Sequence, residues 1–214
     1  MIRIAFADTL DAYPTLSRSM HEGRTAQFRD RLGWEVTVDR DGQERDQYDV
    51  EAPLYVIAET PQGTHAGSLR FLPTMGRTMV NEHFLHLTDG VEIRSPYIWE
   101  CTRFCIAPKA DPRTAARLML AAAELGLASG LSHSVGVFDA RMIHVYRRLG
   151  WSPAVLGTSG TGRDAISVGL WAFTDDVLPV LRAKAGVSAQ VSRHWVDRAM
   201  GPNLSAAQPV AAAA

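Results

Sequence analysis

The chain has 214 residues, 46% of them hydrophobic and 21% charged, which suits one globular domain with a sizeable core and excludes disordered and fibrous classes. Its 22 Lys and Arg nearly balance 23 Asp and Glu, so no overall field draws it to nucleic acid or a membrane, and any electrostatic partner must meet a local patch. The opening MIRIAFADTL has no long apolar run and LMLAAAELGLASGL (118–131) is too short to span a bilayer, so a soluble cytoplasmic protein without a signal peptide is expected.

In chain order, IRIAF (2–6) has the apolar density of a first strand. A helical region follows, broken at Pro14 and resuming through HEGRTAQFRDRLGW (21–34), where Arg24, Phe28 and Arg31 share one face. EVTV (35–38) reads as a short strand and DRDGQERDQYD as a polar loop with an Asp-Gly turn. PLYVIAET and HAGSLRFLPT, separated by PQGT, read as a hairpin. Residues 75–96 are less regular, around FLHL (84–87). YIWECTRFCIA (97–107), rich in aromatic and β-branched residues, is a strand. DPRTAARLMLAAAELGLASG (111–130) is a helix with Asp111 as cap, Pro112 in its first turn and Gly130 at its end. SHSVGVF is a strand, DARMIHVYRRLG a capped helix ending at Gly150, and AISVGLWAF (165–173) a last strand. Helices close the fold at 175–186 and 188–200, and GPNLSAAQPVAAAA has no periodic apolar face and is expected to be disordered. This order predicts a three-layer α/β/α sandwich around a mixed sheet. The main domain spans 1–187, with a terminal helix at 188–200 and a tail at 201–214.

Cys101 and Cys105 are the two cysteines. On a regular strand they share a face about 13 Å apart, too far for a disulfide, so reduced thiols are expected. His83 and His86 lack a second ligand pair, so no metal is expected. Charges in strand-like or strand-adjacent surroundings are more informative, because charged side chains are almost never fully buried unpaired. Arg24, Arg70 and Arg103 can neutralise Asp46, Asp49 and Glu100 in one cluster. The bland alternative is solvated loop aspartates and snorkelling arginines. A regular strand would send Glu100 and Arg103 to opposite faces, so a shared site demands a bulge or splay near Cys101–Thr102.

These same residues, read as R24-x-x-x-F28-x-x-R-L-x-W34, D46-x-x-D49, R70-F-L-P73, F84-L-x-L and E100-x-T-R103-F, together with VYRRLGW (145–151), resemble the acyl-homoserine-lactone synthases of bacterial quorum sensing, across most of residues 1–175. The resemblance implies a fold similar to the GCN5-type N-acetyltransferases. It also implies transfer of an acyl group from acyl carrier protein to the amine of S-adenosylmethionine, then lactonisation that expels methylthioadenosine. S-adenosylmethionine is then a substrate and no cofactor is needed. The matching positions are Arg24, Phe28, Trp34, Asp46, Asp49, Arg70, Phe84, Glu100 and Arg103.

Residue chemistry suggests their roles. Phe28, Trp34 and Phe84 can pack on adenine or the sulfonium, although core packing accounts for aromatics equally well. Arg103 or Arg24 can hold the carboxylate in a bidentate pair, and Asp46 or Asp49 can attract the ammonium. Glu100 is the candidate base, directly or through a water, and backbone N–H groups of a splayed strand can face the oxyanion. Cys101 is a rival nucleophile, with packing the competing role. The acyl pocket is expected among Cys101, Thr102, Met119, Gly136, Phe138 and Met142. Relatives that prefer 3-oxo chains resemble one another in a threonine where Gly136 aligns, so an acyl group without that substituent, of medium or long chain, is expected. Arg141, Arg147 and Arg148 form a basic patch for an acidic carrier, or a solvated helix face. On the resemblance, acyl-CoA ranks below carrier protein as donor; PKADPRTAARLM lacks the glycines of a pyrophosphate loop, which counts against that mode of CoA binding without excluding an acyl-CoA held in another manner. A CoA-dependent N-acyltransferase of the same fold is the competing function, followed by a non-catalytic binding module.

Overall fold

The computed structural model describes residues 1–201; the expected disordered tail lies, but for Gly201, outside them. Seven strands form one mixed sheet: β1 (Ile2–Phe6), β2 (Leu54–Glu59), β3 (His65–Pro73), β4 (Ile98–Ile106), β5 (His133–Asp139), β6 (Ala154–Ser159) and β7 (Ile166–Ala172). Their spatial order is β1-β2-β3-β4-β5-β7-β6. Only β4 and β5 run parallel, as expected where a helix supplies the crossover between them. The helices are α1 (Ala7–Leu10), α2 (Pro14–Thr25), α3 (Met79–His83), α4 (Thr114–Ala128), α5 (Met142–Leu149), α6 (Val177–Ala185) and α7 (Ala189–Met200). No helix of the described residues is long and apolar enough to cross a membrane.

Alternation along the strands divides the core. Leu54, Val56, Leu69 and Phe71 face the back, where Leu118, Ala121, Leu125, Leu181 and Trp195 meet them from α4, α6 and α7. Tyr55 and Ile57 face the front with Leu10, Leu16 and Met20, and Val135 and Val168 join Val80 and Leu87 there. The result is the three-layer sandwich. The aspartates shape the turns into the helices and do not occupy the cap positions, which fall at Arg113 and Arg141: Asp111 accepts from the Arg113 N–H at 2.7 Å and Asp139 Oδ1 from the Arg141 N–H at 2.9 Å, while Gly150 and Gly186 end their helices at φ 89° and 64° as the sequence indicates.

Two expected local features differ. EVTV is not a strand; a single bridge, Val38 to Glu44, closes that loop, and no neighbouring strand completes a ladder. β6 has no counterpart in the sequence reading, because as an exposed edge strand most of its side chains face water and show no apolar alternation.

The C-terminal helix is integral to the back layer. Trp195 and Val196 are buried, and Ser192 donates to the Glu124 carboxylate, which also pairs with Arg182 at 2.7 Å. Trp195→Ala is expected to destabilise the fold by about 3–5 kcal/mol, read as a lower urea midpoint at unchanged slope; an unshifted midpoint would show that α7 adds nothing to the core.

Candidate active site

The site begins with an irregularity in β4. Opposite β3, Arg70 pairs with Thr102 but Ser68 pairs with Cys105, so Leu69 confronts both Arg103 and Phe104. Arg103 takes up the extra length at φ 54°, in the left-handed region that a non-glycine residue enters at a cost. The bulge therefore falls at Arg103–Phe104, just past the stretch the sequence demanded. It resets the side-chain alternation, so Glu100, Thr102 and Arg103 all serve the front. It also parts the cysteines: Cys101 faces the back cavity beside Met119, while Cys105 on the front donates its thiol to Gly23 O of α2 at 3.4 Å. Both are free. The expectation that they share a face fails because it assumed a regular strand.

On the front, Arg24 from α2, Arg70 from β3 and Arg103 from β4 meet Glu44, Asp46 and Asp49 from one loop. Arg24 sends Nε to Glu44 at 2.5 Å and both Nη atoms to Asp49 at 2.9 Å. Arg70 reaches Asp46 at 2.5 and 2.9 Å, Asp49 at 2.8 Å and the Thr102 hydroxyl at 3.0 Å. Arg103 binds Glu44 through Nε and Nη2, at 3.2 and 2.9 Å, and meets Asp46 at 2.7 Å. Three cations face three anions, but the third anion is Glu44, not Glu100. Arg24, Arg70 and Glu44 are fully enclosed, whereas Arg103 is 12% exposed. Its Nη1 donates to no protein acceptor among the described residues.

Charge pairing controls these groups. Burial would raise the Asp49 carboxyl, but the hydrogen bonds and charge of Arg24, then the charge of Arg70, hold it far below the ordinary range. Asp46 is lowered in the same way by Arg70 and Arg103. Asp49 also accepts from the Tyr55 hydroxyl at 2.7 Å and the Asp46 N–H at 2.8 Å, so it works as the keystone of the loop.

Glu100 stands apart. Fully buried on the front face, its carboxylate accepts the Met79 and Val80 N–H groups at 3.0 and 2.6 Å and so caps α3. Burial pushes its pKa up to about 7, against those two hydrogen bonds.

Beyond Glu100 and Val135 the parallel ladder stops and β4 and β5 part. A cavity of about 300 Å³ runs through the gap from front to back. Phe28, Trp34, Arg31 and Arg103 wall its front end; Phe28 and Trp34 stack at 5.2 Å, and Arg103 lies 5.3 Å from the Phe28 ring centre. Cys101, Thr102, Met119, Gly136, Phe138 and Met142 all line it, together with Tyr146, Trp151 and Trp171, which the sequence reading missed. Phe84 does not; it packs in the front cluster with Val80 and Leu87. Arg141 lies at the cavity wall paired with Asp139, and Arg147 and Arg148 are exposed on α5. Glu44 was overlooked because it sits within the charged run QERDQYD, where nothing local separates a buried carboxylate from a solvated one. Among the described residues no cluster of three metal-ligating side chains occurs.

The profile of the autoinducer synthases matches residues 9–176. An acyl-homoserine-lactone synthase of Rhizobium etli is 43% identical over 190 residues, covering 86% of this chain and 89% of that protein. Two solved acyl-homoserine lactone synthases described as CoA-dependent superpose closely. MesI has a TM-score of 0.78 at 23% identity, over 88% of this chain and 97% of that one. BjaI, solved with S-adenosylmethionine and isopentyl-CoA, has 0.79 at 24%, over 88% and 90%. A provisionally assigned N-acetyltransferase of Lactobacillus plantarum shares the sandwich at 0.54, with 14% identity over 81% of this chain and 99% of that one. The ranking of acyl-CoA below carrier protein is overturned by MesI and BjaI. It rested on the resemblance, and the glycines missing before α4 count only against one way of holding phosphate: Lys109 and Arg113 stand just before α4 and Arg117 within it.

Proposed function

The chain belongs to the autoinducer synthase family and is an acyltransferase of the acyl-homoserine-lactone-synthase type, the maker of a quorum-sensing signal; from that premise we propose that it couples an acyl-CoA thioester to S-adenosylmethionine. Arg103, the one cluster arginine with an unengaged Nη1 at the cavity, holds the methionine carboxylate. Asp46, the less enclosed of its two loop aspartates, attracts the ammonium. Phe28 and Trp34 pack against adenine and sulfonium. Asp49, Arg24 and Glu44 keep that arrangement fixed, and Phe84 supports α3 from below.

Glu100 takes the ammonium proton through a bridging water, its pKa of about 7 suiting a base at neutral pH. The amine nitrogen then attacks the thioester carbon, and the C–S bond breaks to release the CoA thiol. Backbone N–H groups along the parted stretch of β4 face the oxyanion. No acyl-enzyme is needed: burial raises the Cys101 thiol to about 12, so little thiolate exists to act as nucleophile. The carboxylate oxygen then closes on the methylene next to sulfur, and methylthioadenosine departs as a neutral thioether. The acyl chain passes through the gap into the back half of the cavity. The observation that carries this reading is the neutral, buried arginine–carboxylate cluster opening through Arg103 onto a cavity that threads the sheet.

Purified protein given S-adenosylmethionine and acyl-CoA is expected to release CoA thiol and methylthioadenosine one to one, with higher kcat/KM for CoA than for the same acyl group on a carrier protein. The lactone, read by mass spectrometry, is expected to lack a 3-oxo group. Gly136 offers no hydroxyl, and a Cβ there would stand 3.2 Å from the Cys101 carbonyl and the Trp171 ring. Thiol release without methylthioadenosine would replace the synthase by a plain N-acyltransferase.

A further inference from the structure

Ser134 lies on the back face of β5, two residues before Gly136 and opposite Trp171. Its side chain is 3% exposed. Its Oγ has no hydrogen-bond partner, and of the four buried side-chain atoms in that state among the described residues it alone belongs to a residue lining the cavity. Tyr146, buried in the same wall, also has a hydroxyl that bonds to nothing among the described residues. The other polar groups nearby are spent: Trp151 Nε1 donates to Ala172 O at 3.1 Å and Trp171 Nε1 to Trp151 O at 3.3 Å. Phe138, Met119 and Ala122 complete an otherwise apolar end.

A buried hydroxyl without a partner is costly, and native interiors rarely keep one. Facing the chamber beside the Tyr146 hydroxyl, the Ser134 hydroxyl marks a place where a ligand supplies the missing atom. Ser134 sits where β4 and β5 are still paired, at the closed end of the gap, about 7 Å along the strand from Gly136. It therefore meets a part of the chain deeper than the position beside Gly136. We infer that the preferred acyl chain carries an oxygen function, hydroxyl or keto, in the half remote from the thioester, and that Ser134, with Tyr146, selects it. This rests on the reading of the cavity as the acyl site. A plain alkyl chain would seal both hydroxyls from water and give them nothing in return.

The test pairs acyl-CoAs of equal length with and without a hydroxyl or keto group in the distal half. Wild-type protein is expected to favour the oxygenated chain about five- to tenfold in kcat/KM, as one neutral hydrogen bond allows. Ser134→Ala is expected to lose most of that preference, with the KM for S-adenosylmethionine unchanged and the thermal midpoint no lower, since its hydroxyl has no protein partner to give up. A wild-type preference for the plain chain, an Ala variant that keeps the selectivity, or a lowered midpoint would overturn the assignment. Tryptophan-fluorescence titration with the same acyl-CoAs, without S-adenosylmethionine, measures selectivity independently of turnover. Selective binding without lactone formation would sink the proposed reaction and leave the Ser134 assignment standing; equal binding of both chains would sink the assignment alone.

Discussion

Arg70→Ala is expected to lower S-adenosylmethionine-dependent turnover at least a hundredfold and to destabilise the fold by about 3–5 kcal/mol. The side chain is fully enclosed, and its guanidinium answers Asp46, Asp49 and the Thr102 hydroxyl at once. Removing it leaves three carboxylates facing two arginines in a buried site where solvent screens them weakly, and an unpaired buried charge costs about that much. The loop bearing Asp46 would shift, and about 3 kcal/mol of lost substrate binding equals roughly a hundredfold. Arg70→Lys is expected to rescue little, because an ammonium cannot reproduce the bidentate fork on Asp46. Urea denaturation and initial rates measure both effects. The acid limb adds a signature: Asp46 and Asp49 have lowered folded pKa values, so their stabilisation is complete above the unfolded value near 3.8 and is lost as pH falls below it. The variant is expected to unfold at a higher pH than wild type. Wild-type stability together with wild-type rates would remove the cluster from both fold and catalysis.

Glu100→Gln is expected to cut kcat about 10²- to 10⁴-fold, the range for losing a general base, and to abolish an acidic limb near pH 7 in the rate profile. Stability carries the opposite pH dependence from the aspartates. With a folded pKa of about 7 against an ordinary 4.5, the native state holds this proton more tightly than the unfolded chain. Wild-type stability is therefore expected to fall by up to about 3 kcal/mol as pH rises across that window and to level off above it. The glutamine variant should lack that slope. If Glu100 merely caps α3 through Met79 and Val80, the variant would keep the acidic limb and lose affinity instead of kcat, and the proton would need another acceptor.

Much of the architecture was legible because periodicity and turn chemistry are local: Asp111 and Asp139 at the turns into α4 and α5, the glycines at 130, 150 and 186, and the apolar strands each declare themselves within a few residues. β6 did not, since an edge strand facing water carries no core stripe. The charged cluster was legible as an excess of cations and anions near strands, but its membership was not. Whether Glu44 or Glu100 completes it depends on how a loop folds over α2 and on one inserted residue in β4, and neither leaves a pattern in sequence. The aromatic end of the cavity, Tyr146, Trp151 and Trp171, went unnoticed, because aromatics on a helix and a final strand are usually ordinary core and nothing local marks these three as cavity wall.

The extra residue at Arg103 makes β4 a mechanism of arithmetic as much as of chemistry. Excising one residue from Arg103–Phe104 would straighten the strand, leave Cys105 opposite Ser68 and still facing α2, and turn whichever residue remained across from Leu69 to the back, away from the carboxylates. A chimera that grafts this strand into another sandwich must therefore preserve its length before its identities, for here one miscounted peptide unit would do more damage than several wrong side chains.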